Sequence, residues 1–177
     1  MIQLHDKKFE VFISGEEINF AIENMAKQIE ADFFDDIPVF IGVLNGSFMV
    51  VSDLLKKYSH NCEVSFVKVA SYQGTQTTHS IKELIGINQD LEGRSVIIVE
   101  DIVDTGNTIE ELKKMLKKHN VKHFKVATLF FKPEAYKKEI KLLFENYDRL
   151  LKKQIDEKLQ KIHKKYNQEL GKLDAKI

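Results

Sequence analysis

Three carboxylates and a hydroxyl-rich turn stand together in the run Val96-Ile97-Ile98-Val99-Glu100-Asp101-Ile102-Val103-Asp104-Thr105-Gly106-Asn107-Thr108. Four apolar, mostly β-branched residues read as a buried strand, and a helix-like segment follows from Ile109. A strand end rarely needs three acids beside a tight turn, whereas a phosphorylated, polyhydroxylated, metal-bound ligand would use all of them. Gly106 lets the chain turn tightly and approach a ligand closely. Amides of the turn and of the helix start, with the Thr105 and Thr108 hydroxyls, then form a phosphate cradle favoured by the helix dipole. Acids beside a phosphate repel it unless they grip something else: sugar hydroxyls, a divalent cation or a developing positive charge. An acidic N-cap on an ordinary helix would account for Asp104 and Thr105, but not for Glu100 and Asp101. The Walker phosphate-loop spacing is absent.

These groups need a scaffold that gathers strand ends, and the chain alternates strands and helices at βα spacing. Ser14 and Glu17 predict a capping box that opens a helix with Ile18, Ile22, Met25, Ala26 and Ile29 on one face. Val39–Leu44 reads as a buried strand, Phe48–Lys57 as a helix and Glu63–Ala70 as the next strand. Residues 71–80 are polar and Thr-rich, which suits a mobile surface loop, and Ile81–Ile87 returns from it as a short strand. Ser95–Glu100 is the expected central strand, Asn107–Lys118 the helix behind it, and Phe124–Phe131 a further apolar strand. The expected fold class is α/β, a doubly wound and mostly parallel sheet whose loops gather at the strand carboxyl ends.

The run at 96–108 resembles the phosphoribosyl-diphosphate-binding motif of type I phosphoribosyltransferases, four apolar residues followed by E-D-x-x-D-T-G-x-T. Gly42-Val43-Leu44-Asn45-Gly46-Ser47, Val69-Ala70-Ser71-Tyr72 and Lys125-Val126-Ala127-Thr128-Leu129-Phe130-Phe131-Lys132-Pro133 are similar to segments of its hypoxanthine (hypoxanthine-guanine) branch. The four motifs occur in the family's order, and the resemblance covers roughly residues 5–141.

The resemblance implies transfer of ribose 5-phosphate from phosphoribosyl diphosphate to a 6-oxopurine in purine salvage, with release of diphosphate and dependence on Mg2+. It implies that Glu100 and Asp101 grip the ribose hydroxyls directly or through the metal, and that Asp104 exchanges a proton with the purine ring. Thr105, Gly106, Asn107 and Thr108 would hold the 5-phosphate. The turn Leu44-Asn45-Gly46 would hold diphosphate, often in the family through a non-proline cis peptide before its second residue. Many relatives carry a basic residue where Asn45 stands. Ser71 and Tyr72 would close over the site to exclude water, and Lys132 would donate to the 6-oxo group. From local sequence alone, 44–47 is a turn with an N-cap and Lys132 a solvent-reaching strand end; the resemblance favours the functional roles.

Composition excludes some alternatives. Lys plus Arg and Asp plus Glu number 27 each among 177 residues, so no overall field recruits nucleic acid or an acidic membrane. No apolar run spans a bilayer, and the N-terminus lacks a basic region followed by an apolar block. Cys62 is alone, which excludes an internal disulfide and suits a reducing, cytoplasmic setting. The histidines lack structural-zinc spacing.

The resemblance stops after Lys141. The chain divides accordingly into an expected phosphoribosyltransferase domain, 1–141, and a C-terminal helical extension, 142–177. Leu143, Tyr147, Leu151, Ile155, Leu159, Ile162, Tyr166, Leu170, Leu173 and Ile177 recur at intervals of three or four, as in an atypical amphipathic helix. That stripe could cover the sheet edge, form a homo-oligomer or be a foreign helix joined to a truncated chain. In the family this region supplies the ring that stacks on the purine. Two functional classes therefore stand: a purine phosphoribosyltransferase, or a phosphoribosyl-diphosphate-binding regulatory protein with the helix as its partner surface. Retention of Asp104, Ser71-Tyr72 and Lys132 together favours the enzyme.

Overall fold

A computed structural model describes residues 2–4, 6–70, 82–87, 89–133 and 135–136. Its elements follow the alternation expected from the apolar pattern. A short antiparallel hairpin, β1 (Ile2–Leu4) and β2 (Lys7–Phe9), precedes α1 (Gly15–Asp32), β3 (Val39–Val43), α2 (Phe48–Leu55), β4 (Glu63–Ala70) and β5 (Lys82–Ile85). Then come β6 (Ser95–Val103), α3 (Asn107–Lys118) and β7 (His123–Phe131). The main sheet has the order β5-β4-β3-β6-β7. β3 pairs in parallel with both β4 and β6, β6 pairs in parallel with β7, and only the β4–β5 pair is antiparallel.

The two inner strands are apolar because both faces of the sheet are covered. Every residue of β3 is buried, as are the first six of β6. On one face Val39, Ile41, Val43, Val96, Ile98 and Val126 pack with Ile109, Leu112 and Leu116 of α3. On the other face Gly42 lies against Val51 of α2, so closely that a Cβ at 42 would come within 2.9 Å of that valine and 2.8 Å of the Phe66 ring. α1 buries Ala21, Ile22, Met25, Ala26 and Ile29, and it begins with the expected capping box: Glu17 N donates to Ser14 Oγ at 3.2 Å while Ser14 N donates to Glu17 Oε2 at 2.7 Å.

Polar groups fasten the amino-terminal edge of the sheet. Ser95 Oγ donates to Asp36 Oδ2 and lies 3.2 Å from His123 Nε2. Lys122 pairs with Asp36 at 3.3 Å, and Arg94 with Glu63 at 2.6 Å. Asp36 is held below the usual carboxylate range, first by the Ser95 hydrogen bond and also by Lys122.

Several boundaries depart from the sequence reading: β3 ends at Val43 rather than Leu44, and β7 begins at His123 rather than Phe124. β6 continues to Val103 rather than stopping at Glu100, because its ladder with β7 persists through Ile102↔Phe130 and Val103↔Phe131. α2 ends at Leu55 rather than Lys57, where Lys57 N and Tyr58 N both turn back to Leu54 O. The β1–β2 hairpin was not anticipated. The expected loop at 71–80, and the helix proposed for 142–177, lie outside the described residues. Among the described residues no helix is long and apolar enough to cross a membrane.

Candidate active site

Three helices begin near strand ends or turns, and they begin differently. The start of α1 carries the Ser14–Glu17 capping box, but among the described residues no side chain caps the N-terminus of α2 or α3. A helix leaves its first four N–H groups without intrahelical partners. α2 follows β3 and α3 follows β6, and β3 and β6 are hydrogen-bonded neighbours running in the same direction. Two uncapped, electropositive helix starts therefore open at adjacent carboxyl ends, a geometry suited to two anionic groups.

The second of these starts is the Thr105-Gly106-Asn107-Thr108 turn. Gly106 has φ +78° as the N-cap of α3, a left-handed conformation that a side chain would strain. Glu110 N bonds Gly106 O at 3.0 Å to close the first turn. Thr105 and Asn107 are exposed, Thr108 is half-buried, and Glu110 is the acidic residue of the first turn. The first start is the Leu44-Asn45-Gly46-Ser47 turn. Its Leu44–Asn45 peptide is cis, as the resemblance implied. Leu44 N donates to Val67 O at 2.8 Å and Ser47 N to Val43 O at 3.2 Å, which fixes both ends of the turn while Asn45 and Gly46 remain exposed.

Extension of β6 gives its acids separate surroundings. Successive strand residues face opposite sides, so Asp101 lies on the α2 side with Val99, the partner of Gly42, and Glu100 on the other. Asp101 is half-buried, and its Oδ1 accepts from Ile102 N at 2.9 Å. Both of its carboxylate oxygens would lie 2.5 Å from a Cβ placed on Gly46. Glu100 is only 8% exposed. Burial, and secondarily the negative charge of Asp101, push its carboxyl up to about 8. The two carboxylates offer hard oxygen donors to a divalent cation.

Asp104 stands beyond these, exposed, and faces the next strand. Lys132 N donates to Val103 O at 2.9 Å, which carries the β6–β7 ladder one residue past Phe131 and sets Lys132 beside Asp104. Lys132 Nζ lies 3.7 Å from Asp104 Oδ2, with the two side chains 57% and 50% exposed. A pair so exposed adds little to stability; its importance is that a cationic donor and a carboxylate acceptor share one edge of the crevice.

Residues 14–148 match the phosphoribosyl transferase domain family. The chain belongs to that family. It is 37% identical over 139 residues, 78% of this chain and 77% of the relative, to the hypoxanthine-guanine phosphoribosyltransferase of Streptococcus agalactiae serotype V. The crystal structure of a hypoxanthine-guanine phosphoribosyltransferase from Bacillus anthracis aligns with a TM-score of 0.70 at 33% identity, covering 77% of this chain and 79% of that one. The hypoxanthine phosphoribosyltransferase of Trypanosoma cruzi in complex with the product IMP aligns with a TM-score of 0.65 at 28% identity, covering 76% of this chain and 80% of that one. The parallel sheet and its flanking helices are the type I phosphoribosyltransferase fold, and the protein is a phosphoribosyltransferase enzyme. A binding protein without transfer is not favoured, since these relatives are all named as transferases.

In this phosphoribosyltransferase the structure brings together Leu44, Asn45, Gly46, Glu100, Asp101, Asp104, Thr105, Gly106, Asn107, Thr108 and Lys132 at one edge of the sheet. Ser71 and Tyr72 lie outside the described residues. One residue was missed in the sequence, and another, Ser47, was read there as part of the turn and its N-cap, whereas its side chain makes no cap. Ser47 is fully buried directly behind the turn, and among the described residues its hydroxyl has no partner. Ile102, paired with Phe130, leaves 41% of its surface exposed between Asp101 and Asp104. An apolar residue set between acids at a strand end was the available signal for it.

Proposed function

We propose that the enzyme transfers 5-phosphoribosyl from phosphoribosyl diphosphate to hypoxanthine, giving IMP and diphosphate, with guanine the second base to test. The observation that carries this reading is the Asp104–Lys132 pair beside the uncapped start of α3. A 6-oxopurine presents O6 and N7 next to each other on one edge. A lysine donating to O6 and a carboxylate accepting from N7–H would span that edge together. Asp104 takes the N7 proton as N9 bonds C1′ and the C1′–O bond to diphosphate breaks. Thr105, Gly106, Asn107 and Thr108 hold the 5-phosphate through amides and hydroxyls. The turn Leu44-Asn45-Gly46 receives the leaving diphosphate. By the resemblance, Glu100 and Asp101 would grip the ribose hydroxyls directly or through magnesium and, once ionised, favour the positive charge that grows on the sugar as the bond to diphosphate breaks.

The same two acids fit a magnesium ion by donor chemistry: hard oxygens, a net negative pair, and a Glu100 pKa that a nearby cation would lower. No group of three or more His, Cys, Asp or Glu able to hold a metal occurs among the described residues, and magnesium commonly keeps water or substrate oxygens in its remaining positions. When bound, the ion would neutralise charge on the diphosphate.

From the sequence resemblance we propose further that Ser71 and Tyr72 belong to the segment that closes over the site against water. Residues 142–177 form a separate extension, and the protein works as a homo-oligomer in the cytoplasm. The deciding experiment mixes the protein with phosphoribosyl diphosphate, magnesium and hypoxanthine and follows IMP formation. Tight donor binding with no nucleotide from hypoxanthine, guanine or xanthine would refute base transfer.

A further inference from the structure

Gly46 has no conformational reason to be glycine. Among the described residues positive φ occurs at Gly93, Gly106 and Asn120, not at Gly46. Its reason is proximity. The three atoms nearest a Cβ built there all belong to the Asp101 carboxylate, at 2.5, 2.5 and 2.6 Å, closer than any real Cβ stands to a neighbour. The carboxylate is thus seated against the Gly46 backbone, and it is steadied from its own strand by the Ile102 amide at 2.9 Å. The ends of the turn are anchored through Leu44 N and Ser47 N, but between them Asn45 and Gly46 are exposed. Strand alternation directs Asp101 to this side of the sheet and Glu100 away from it.

We infer that Asp101 is a positioning residue for the turn 44–47, its carboxylate resting on Gly46 and setting where the turn's amides meet the leaving diphosphate. The inference rests on the proposed reading of that turn as the diphosphate site. Amide donors to an oxyanion act over a narrow range of distances, so a turn displaced by a few tenths of an ångström loses affinity for it. Shape rather than charge does the positioning. Asp101→Asn, which keeps the shape, preserves the seat; Asp101→Ala removes it; Gly46→Ala forces a methyl into the space that the carboxylate occupies. The group that must yield to that methyl is the end of a short side chain rather than backbone, so the Gly46→Ala protein folds.

The test is a double-mutant cycle read by titration calorimetry with inorganic diphosphate and magnesium, and separately with IMP, which carries no diphosphate. Gly46→Ala is expected to weaken diphosphate about tenfold and to change IMP affinity by less than about threefold. In the Asp101→Ala background the same Gly46→Ala change should cost less than about twofold, because the methyl now has room. Asp101→Asn, titrated without divalent cation so that loss of a metal ligand does not enter, should stay within about threefold of wild type for diphosphate. Independent, multiplying losses in the double variant overturn the inference, as does a Gly46→Ala protein that weakens IMP as much as diphosphate. Thermal melts of all four variants separate these outcomes from misfolding. Turnover of hypoxanthine by the wild type reports on the parent reading alone: a protein that binds diphosphate with this coupling but forms no IMP keeps the inference and loses the proposed reaction.

Discussion

Replacing Glu100 with glutamine should make the protein more stable at alkaline pH and leave it nearly unchanged at acidic pH. Glu100 is 8% exposed in β6, and its carboxyl is raised from 4.5 to about 8, first by burial and then by the charge of Asp101. A carboxyl raised in the folded state binds its proton more tightly there than in the unfolded chain. Between the two pKa values the folded state holds more protons, so stability falls as pH rises from about 4.5 and levels off above about 8. At roughly 1.4 kcal/mol per unit, the full span corresponds to an order of 4 to 5 kcal/mol. Glutamine keeps the size and polarity of the protonated acid and does not titrate. The assay is urea unfolding of wild type and Glu100→Gln from pH 5 to pH 9, without ligand or divalent cation, with the difference between the two proteins plotted against pH. Other titrating groups common to both cancel in that difference. The expected curve is near zero at pH 5 and rises by several kcal/mol in favour of Glu100→Gln toward pH 9. A flat difference, or a wild type that gains on the variant as pH rises, would refute the account, because it would mean that the fold accommodates the ionised form.

Asp104→Asn should lower kcat by about 10²-fold or more while the KM for phosphoribosyl diphosphate stays within a few-fold in steady-state assays; equal losses in both would contradict a proton-transfer role. Gly106→Ala, at φ +78°, should destabilise by about 1–2 kcal/mol in urea unfolding and weaken IMP binding. Ser14→Ala removes the hydroxyl that caps α1 and should cost about 1 kcal/mol of stability with kcat unchanged, since that helix start faces no ligand in this reading.

The site was legible where its chemistry is contiguous. Glu100 to Thr108 contains strand end, turn and helix start in one uninterrupted run, and α3 spans Asn107–Lys118 as its apolar spacing requires. β4 likewise occupies Glu63–Ala70, and the Ser14–Glu17 box forms as the sequence pattern indicates. What escaped notice depends on partners remote in sequence. Acids are poor strand formers, so Glu100 and Asp101 read as the end of β6; pairing of Ile102 and Val103 with β7 overrides that local preference and gives the two acids opposite faces. The seat of Asp101 on Gly46 joins residues from two strand ends that meet only through the parallel β3–β6 pair. The Asp36–Ser95–His123 fastening is invisible for the same reason: each residue alone is an ordinary polar group near a strand start. The β1–β2 hairpin consists of two three-residue strands without a strong turn signal between them.

The three helix starts explain how one sheet supports both stability and binding. A side-chain cap contributes about 0.5–2 kcal/mol, and α1, whose start is not at a carboxyl end of a sheet strand, has one. α2 and α3 forgo it where β3 and β6 deliver them to the crevice. A capping carboxylate at either start would occupy the amides and present negative charge to an incoming phosphate. The acids are instead set back within β6: Glu100 buried and raised toward neutrality, Asp101 turned against the Gly46 backbone. On the proposed reading both anion sites keep their amides, while Asp101 stands close enough to favour the positive charge that grows on a sugar losing its leaving group. Asp104 is the exception in exposure, and it is the acid with a cation beside it, Lys132 at 3.7 Å. On the proposed reading that pairing gives Asp104 to the base rather than to either phosphate.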